Sequence, residues 1–138
     1  DSIIPSMTGH QVDLTATFQA TEKFGLGLNT TMRNNDPSEG EATSWFGAAL
    51  YANYAFSDVF TFGFRGEYLG DSDGLILGAT DGSVLDLTFS GNIKKGPLTI
   101  IPEFRIDLAN NEVFTDASNG GKFTKTAPTL LLAAVYSF

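Results

Sequence analysis

Cysteine is absent from the 138-residue chain, which excludes disulfides and thiolate metal sites. No apolar run approaches the eighteen or so residues that a transmembrane helix needs. Charge is scarce: charged residues make up 17% of the chain, against about 25% in a typical soluble protein. Histidine occurs once, at His10, so a histidine relay has one candidate and no evident partner. Basic residues are nowhere clustered, and the net charge is −8. A surface that follows phosphates is excluded, and nucleic acid with it. No secretory signal opens the chain, so residue 1 is expected to be a mature terminus or an internal cut.

What is abundant is alternation. From Gln11 to Ala20 the residues Val12, Leu14, Ala16 and Phe18 share one side of an extended chain, and Gln11, Asp13, Thr15, Thr17 and Gln19 share the other. The same two-residue period recurs over Phe24 to Arg33, Ser44 to Phe56, Val59 to Leu69, Val84 to Ile93, Leu98 to Ala109, and a last strand that starts between Phe123 and Pro128. Seven strands of about ten residues are predicted, each long enough to cross a bilayer at a tilt. Residues 1–10 show no period and contain Pro5 and Gly9, so they read as a loop or an incomplete N-terminal segment. Pro102 falls inside the sixth strand, where a bulge or locally broken pairing is expected because proline donates no hydrogen bond.

The connections alternate in length. Short turns are predicted near residues 22–23, 57–58 and 94–97, and longer Gly- and Asp-containing loops near 34–43, 70–83 and 110–121. An antiparallel up-and-down transmembrane β-barrel has this rhythm, with short periplasmic turns and long extracellular loops. A soluble barrel also pairs an apolar with a polar face, but there Gly25, Gly27, Gly47 and Gly63 would face solvent, where they only weaken their strands. On a crowded interior wall small residues have a use. The apolar face is therefore expected to meet lipid, with residues 11–138 forming the barrel strands. Bacterial single-chain barrels close with an even strand number. Seven strands thus point to the C-terminal part of a larger barrel, the alternative being a complete eight-stranded barrel.

The chain ends LLLAAVYSF, with Leu130, Leu132, Tyr136 and Phe138 on one side and no polar tail. This ending resembles the C-terminal strand that the barrel-assembly machinery reads in bacterial outer-membrane proteins. Together with DLTATFQATEKFGLGLN, AALYANYAFSDVFTFGFRGEYL and GPLTIIPEFRIDLANNEVFTD, it makes the chain resemble the β-barrel porins of the OmpL-like kind, common in Bacteroidetes-type bacteria. The resemblance covers about Gln11 to Phe138. It implies an outer-membrane location, outer-membrane lipid and the assembly machinery as partners, no cofactor, no metal, no catalytic site, and a pore-like role in the passive passage of small solutes. A partner subunit or oligomer stays open, as does a second reading: a small closed barrel acting as a structural or interaction component.

The candidate site residues are the charged side chains on the polar face: Asp13, Arg33, Arg65, Glu67, Asp86, Lys94, Glu103, Arg105 and Asp107. They would line an aqueous path and set its charge preference, or hold opposite walls together as ion pairs. Phe24, Phe56, Phe60, Tyr136 and Phe138 gather beside the short turns, as an aromatic girdle at one membrane interface would. Asp71, Asp73 and Asp81 begin a calcium-like loop, but no bidentate Glu stands at the required spacing, so a solvated loop is the reading preferred.

Overall fold

The structure is a computed structural model, and it describes residues 7–38, 40–78 and 80–138. Strands β1 (Met7–Gln19), β2 (Phe24–Pro37), β3 (Thr43–Ala55), β4 (Phe60–Asp71), β5 (Gly82–Lys95) and β6 (Leu98–Ala109) follow one another. A small hairpin, β7 (Phe114–Asp116) and β8 (Lys122–Thr124), precedes the last strand, β9 (Thr126–Tyr136). Seven of these form one sheet in the order β1-β2-β3-β4-β5-β6-β9, every pair antiparallel. The architecture is all-β and up-and-down. The sheet is not closed: β1 and β9 are its edges, and they run in the same direction.

Two short turns are built by one device. Thr21 and Ser57 stand at equivalent places in TEKF and SDVF. The Thr21 hydroxyl accepts from the Lys23 and Phe24 amides at 3.2 and 3.0 Å, and the Ser57 hydroxyl accepts from Val59 and Phe60 at 3.3 and 3.1 Å. A hydroxyl that satisfies two amides at once holds the chain reversal without a glycine. The third turn uses Gly96, whose φ of +59° suits a residue without a Cβ.

Register keeps the two faces separate across all seven strands. One row reads Phe18–Leu26–Ala52–Phe64–Phe89–Phe104–Leu130. The adjacent row on the opposite face reads Thr17–Gly27–Tyr51–Arg65–Thr88–Arg105–Thr129. Almost no apolar core exists: Ala49 is the one buried hydrophobic side chain among the described residues, while Phe18 is 66% and Leu130 82% exposed. Every buried residue, Asn35, Ala49, Gly63, Asp71, Gly82, Asp86 and Asp107, lies on the polar face. Crowding on one side only is what the inside of a curled sheet imposes.

Four sequence expectations change. Residues 7–10 are not loop: Met7–His10 pair with Asn34–Pro37, while residues 1–6 lie outside the described residues. The loop expected over 34–43 therefore shrinks to residues 38–42, because polar strand ends with neighbours to pair with stay extended however weak their alternation. The turn expected at 94–97 narrows to Gly96 and Pro97, since β5 continues through Lys95. The loop expected over 110–121 carries the β7–β8 hairpin, whose Phe114↔Thr124 pairing reaches beyond it. At Pro102 the expected local break in pairing is present, without a bulge. The β5–β6 register holds on both sides while the Gly91 and Asn92 pairings are missing, and Pro102 still pairs with Leu132 of β9.

The gap sits on the β5 side because the missing donor is the one that would face β5. Pro102→Val should therefore restore a ladder hydrogen bond and raise stability by about 1 kcal/mol, read as a higher urea midpoint of the protein refolded in lipid vesicles. An unchanged or lower midpoint would place the defect elsewhere.

Candidate functional site: the charged polar face

The polar face owes its chemistry to the alternation of β3 to β6. Residues 51, 65, 88 and 105 fall in one row, and 49, 67, 86 and 107 in the next. Two arginines thereby stand beside three carboxylates. Arg105 donates to Asp107 at 2.7 Å within its own strand and meets Asp86 of β5 at 2.6 Å. Thr88 donates a further hydrogen bond to Asp86 at 2.8 Å. Asp86 and Asp107 are only 6% and 8% exposed, so Arg105 answers two charges that water barely reaches. Arg65 pairs with Glu67 and places its guanidinium carbon 5.6 Å from the centre of the Tyr51 ring, within range of a cation–π contact.

The remaining sequence-predicted residues are spread along the same face without joining this cluster. Asp13 accepts from Gln11 Nε2 at 3.0 Å, and Arg33 donates to Asn35 at 2.9 Å. Lys94 lies at the exposed end of β5 and Glu103 on β6. Pairing across a lumen needs a facing wall, which the open sheet does not present; the ion pairs among the described residues run along one strand or to its neighbour. Spacing explains this: residues i and i+2 share a face about 7 Å apart along the strand, within reach of a guanidinium.

The girdle candidates lie at the short-turn end of the sheet. Phe24, Tyr54, Phe56 and Phe60 make a chain of ring contacts, with centroids 6.5, 4.7 and 5.6 Å apart. Tyr136 pairs with Leu98 next to the third turn, and the Ser137 amide donates to Pro97 at 2.9 Å, bringing Phe138 to the same end. Tyr54 belongs to this chain although the alternation gave no reason to single it out; its cross-strand neighbour Phe24 is the signal that finds it. On β9 both faces are apolar, since Leu131 and Val135 accompany Leu130 and Leu132.

At the opposite end the connection after β4 is organised by Asp71, which is 1% exposed. Its carboxylate accepts from the amides of Leu75, Ile76 and Leu77 at 2.9, 2.7 and 2.8 Å. Burial alone would push this carboxyl up, but the backbone donors of Leu77, Ile76, Leu75 and Gly74 outweigh it and hold the group below 3.8. Asp73 reaches back to the Ser44 amide at 2.7 Å. Asn110 ties the third long connection to Asp81 O and the Ser83 amide at 2.7 and 2.8 Å. Of the aspartates that suggested a calcium loop, Asp71 and Asp73 thus serve as acceptors for backbone amides and Asp81 offers its main-chain carbonyl to the Asn110 side chain, and among the described residues no cluster of three potential ligands forms.

Arg105→Ala should cost about 2 kcal/mol or more, because it strands two nearly buried carboxylates, with some relief from water at the half-exposed guanidinium. Arg65→Ala, which breaks an exposed pair, should cost less than about 1 kcal/mol. Urea unfolding of both variants in vesicles checks the order. The Asp71 cage carries a pH signature. A depressed carboxyl stabilises the loop above its unfolded value near 3.8 and loses that contribution as pH falls through the folded value. Hydrogen-exchange protection factors at Leu75, Ile76 and Leu77 should hold from neutral pH to about 4 and collapse below. Asp71→Ala should lose them at every pH.

Comparison with known proteins was made against this geometry. No curated protein and no solved structure matches the chain. A family described as "Putative beta-barrel porin-2, OmpL-like" matches residues 5–138. The match spans every strand of the sheet, and the chain belongs to this family of OmpL-like β-barrel porins.

Proposed function

We propose that the chain forms the wall of an outer-membrane porin, its polar face lining a water-filled path for small solutes that cross passively and without chemical change. The observation that carries this reading is the distribution of burial. Side chains are crowded on the face that holds the charges, and the large rings and leucines are left bare on the other. In water that arrangement would expose an apolar patch far larger than a monomer tolerates; in a bilayer it is the lipid-facing side.

The other roles follow from position. Phe24, Phe56, Phe60, Tyr136 and Phe138, at the short-turn end, sit at the periplasmic interface. The Leu130–Phe138 strand is what the assembly machinery reads. The nine lumen-lining candidates set the selectivity; five are acidic and four basic, a net −1 that favours cations weakly. The edges bear on size. Unpaired amides and carbonyls along β1 and β9 cost several kcal/mol each in hydrocarbon. Because the two edges run the same way, all-antiparallel closure takes an odd number of further strands between them. One added strand closes an eight-stranded barrel and three or more a larger one.

The test is electrical. The protein reconstituted in planar bilayers should pass ion current, and a KCl gradient should give a reversal potential on the cation-selective side. Insertion without current would refute the pore.

A further inference from the structure

The charged rows account for only part of the polar face. On β3 the residues between Trp45 and Tyr51 on that face are Gly47 and Ala49, too small to fill the space beside them. The Trp45 ring reaches over Gly47, where an added Cβ would stand 3.9 Å from Cζ3. The Tyr51 ring lies over its cross-strand partner Gly27, 3.5 Å from an added Cβ. Two aromatic rings thus frame a cavity of about 370 Å³ floored by Ala49, within the size range of small-molecule sites. Asn29 and the Arg65–Glu67 pair line it from either side, and Ile76 reaches it from the loop that Asp71 holds.

We infer that this cavity is a binding subsite for a neutral sugar, a mono- or disaccharide, at the end of the wall that carries the longer connections. The apolar side of the cavity, Trp45 with Ile76, suits the flat C–H face of a pyranose ring. The polar side suits its hydroxyls. Among the described residues the Asn29 amide, the Trp45 indole N–H and the Tyr51 hydroxyl have no hydrogen-bond partner, so a ligand can satisfy them. Charge argues for neutrality. Arg65 is already committed to Glu67 and Tyr51, and an anion would also meet the Glu67 carboxylate, which lines the cavity. A cation would have to displace Arg65 from Glu67. A purely apolar solute would leave the three free polar groups dry, at a cost in desolvation. The inference rests on the porin reading, in that the polar face must be the one solutes reach.

Trp45 is the sole tryptophan of the chain, so its emission reports on this cavity alone. The full chain, refolded in micelles of a sugar-free detergent such as lauryldimethylamine oxide, is titrated with glucose, maltose, cellobiose and lactose, and with sodium glutamate and lysine hydrochloride. At least one neutral sugar should shift the emission saturably, and the two charged solutes should not. Asn29→Ala should raise the half-saturating concentration about fivefold, the loss of one hydrogen bond, and Ala49→Leu should abolish the response by filling the cavity. Circular dichroism identifies variants that have kept the sheet. No saturable response to any of the four sugars overturns the inference. So does saturation by a charged solute alone, or an unchanged response in a folded Asn29→Ala protein. The titration needs no ion current: a sugar response from a protein that conducts nothing would sink the pore and leave the site, and current without a sugar response would do the reverse.

Discussion

The antiparallel register is the constraint on which everything else depends. With one buried hydrophobic side chain among those described, no core holds the sheet; the strands are held by their ladders and by cross-strand contacts on two open faces. A slip of one residue in β1, β2, β4, β5 or β6 would carry apolar side chains among the charges and charges among the rings. Seven strands remain in step across the sheet, and the only interruption, opposite Pro102, removes pairings without shifting the count. In a solvent of hydrocarbon that economy is natural, because apolar side chains gain nothing by hiding from lipid and backbone groups lose much by going unpaired.

Register also decides what the charges can do. It sets Arg105 between two carboxylates of its own and the neighbouring strand, so one guanidinium neutralises a pair that could not otherwise stay so little exposed. Arg65, with a single carboxylate and a tyrosine ring, is held more loosely. The two arginines occupy one row and look alike in the sequence, yet they differ in how much depends on them.

The two ends of the sheet are built on different principles. At one end a threonine and a serine fold the chain back in tight turns, and the residue that follows each is a phenylalanine of the ring chain. At the other, aspartate side chains do the work of missing secondary structure. Asp71 gathers three amides of its own loop, Asp73 fastens that loop to β3, and Asn110 fastens the third connection to it. Side-chain acceptors can hold an irregular segment this way where no ladder is available. Ile76 is thereby set over the polar face beside Trp45.

Period-two alternation by itself determined the seven strands of the large sheet, the composition of the two faces and the short turns, because side-chain direction in a strand follows from position alone. It also brought together the residues of the charged rows, since hairpins with short turns bind neighbouring strands in nearly forced register. It failed where polarity on both faces erased the period: Met7–His10 are strand because Asn34–Pro37 supply their partners, and Asn34 and Asn35 pair with Ser44 and Thr43 as well. Which carboxylate answers which arginine, the inward turn of Asp71, and the gap between Trp45 and Tyr51 were decided by tertiary structure. Each depends on the lateral spacing of strands and on a loop folding back over a face, distances that a linear pattern does not contain.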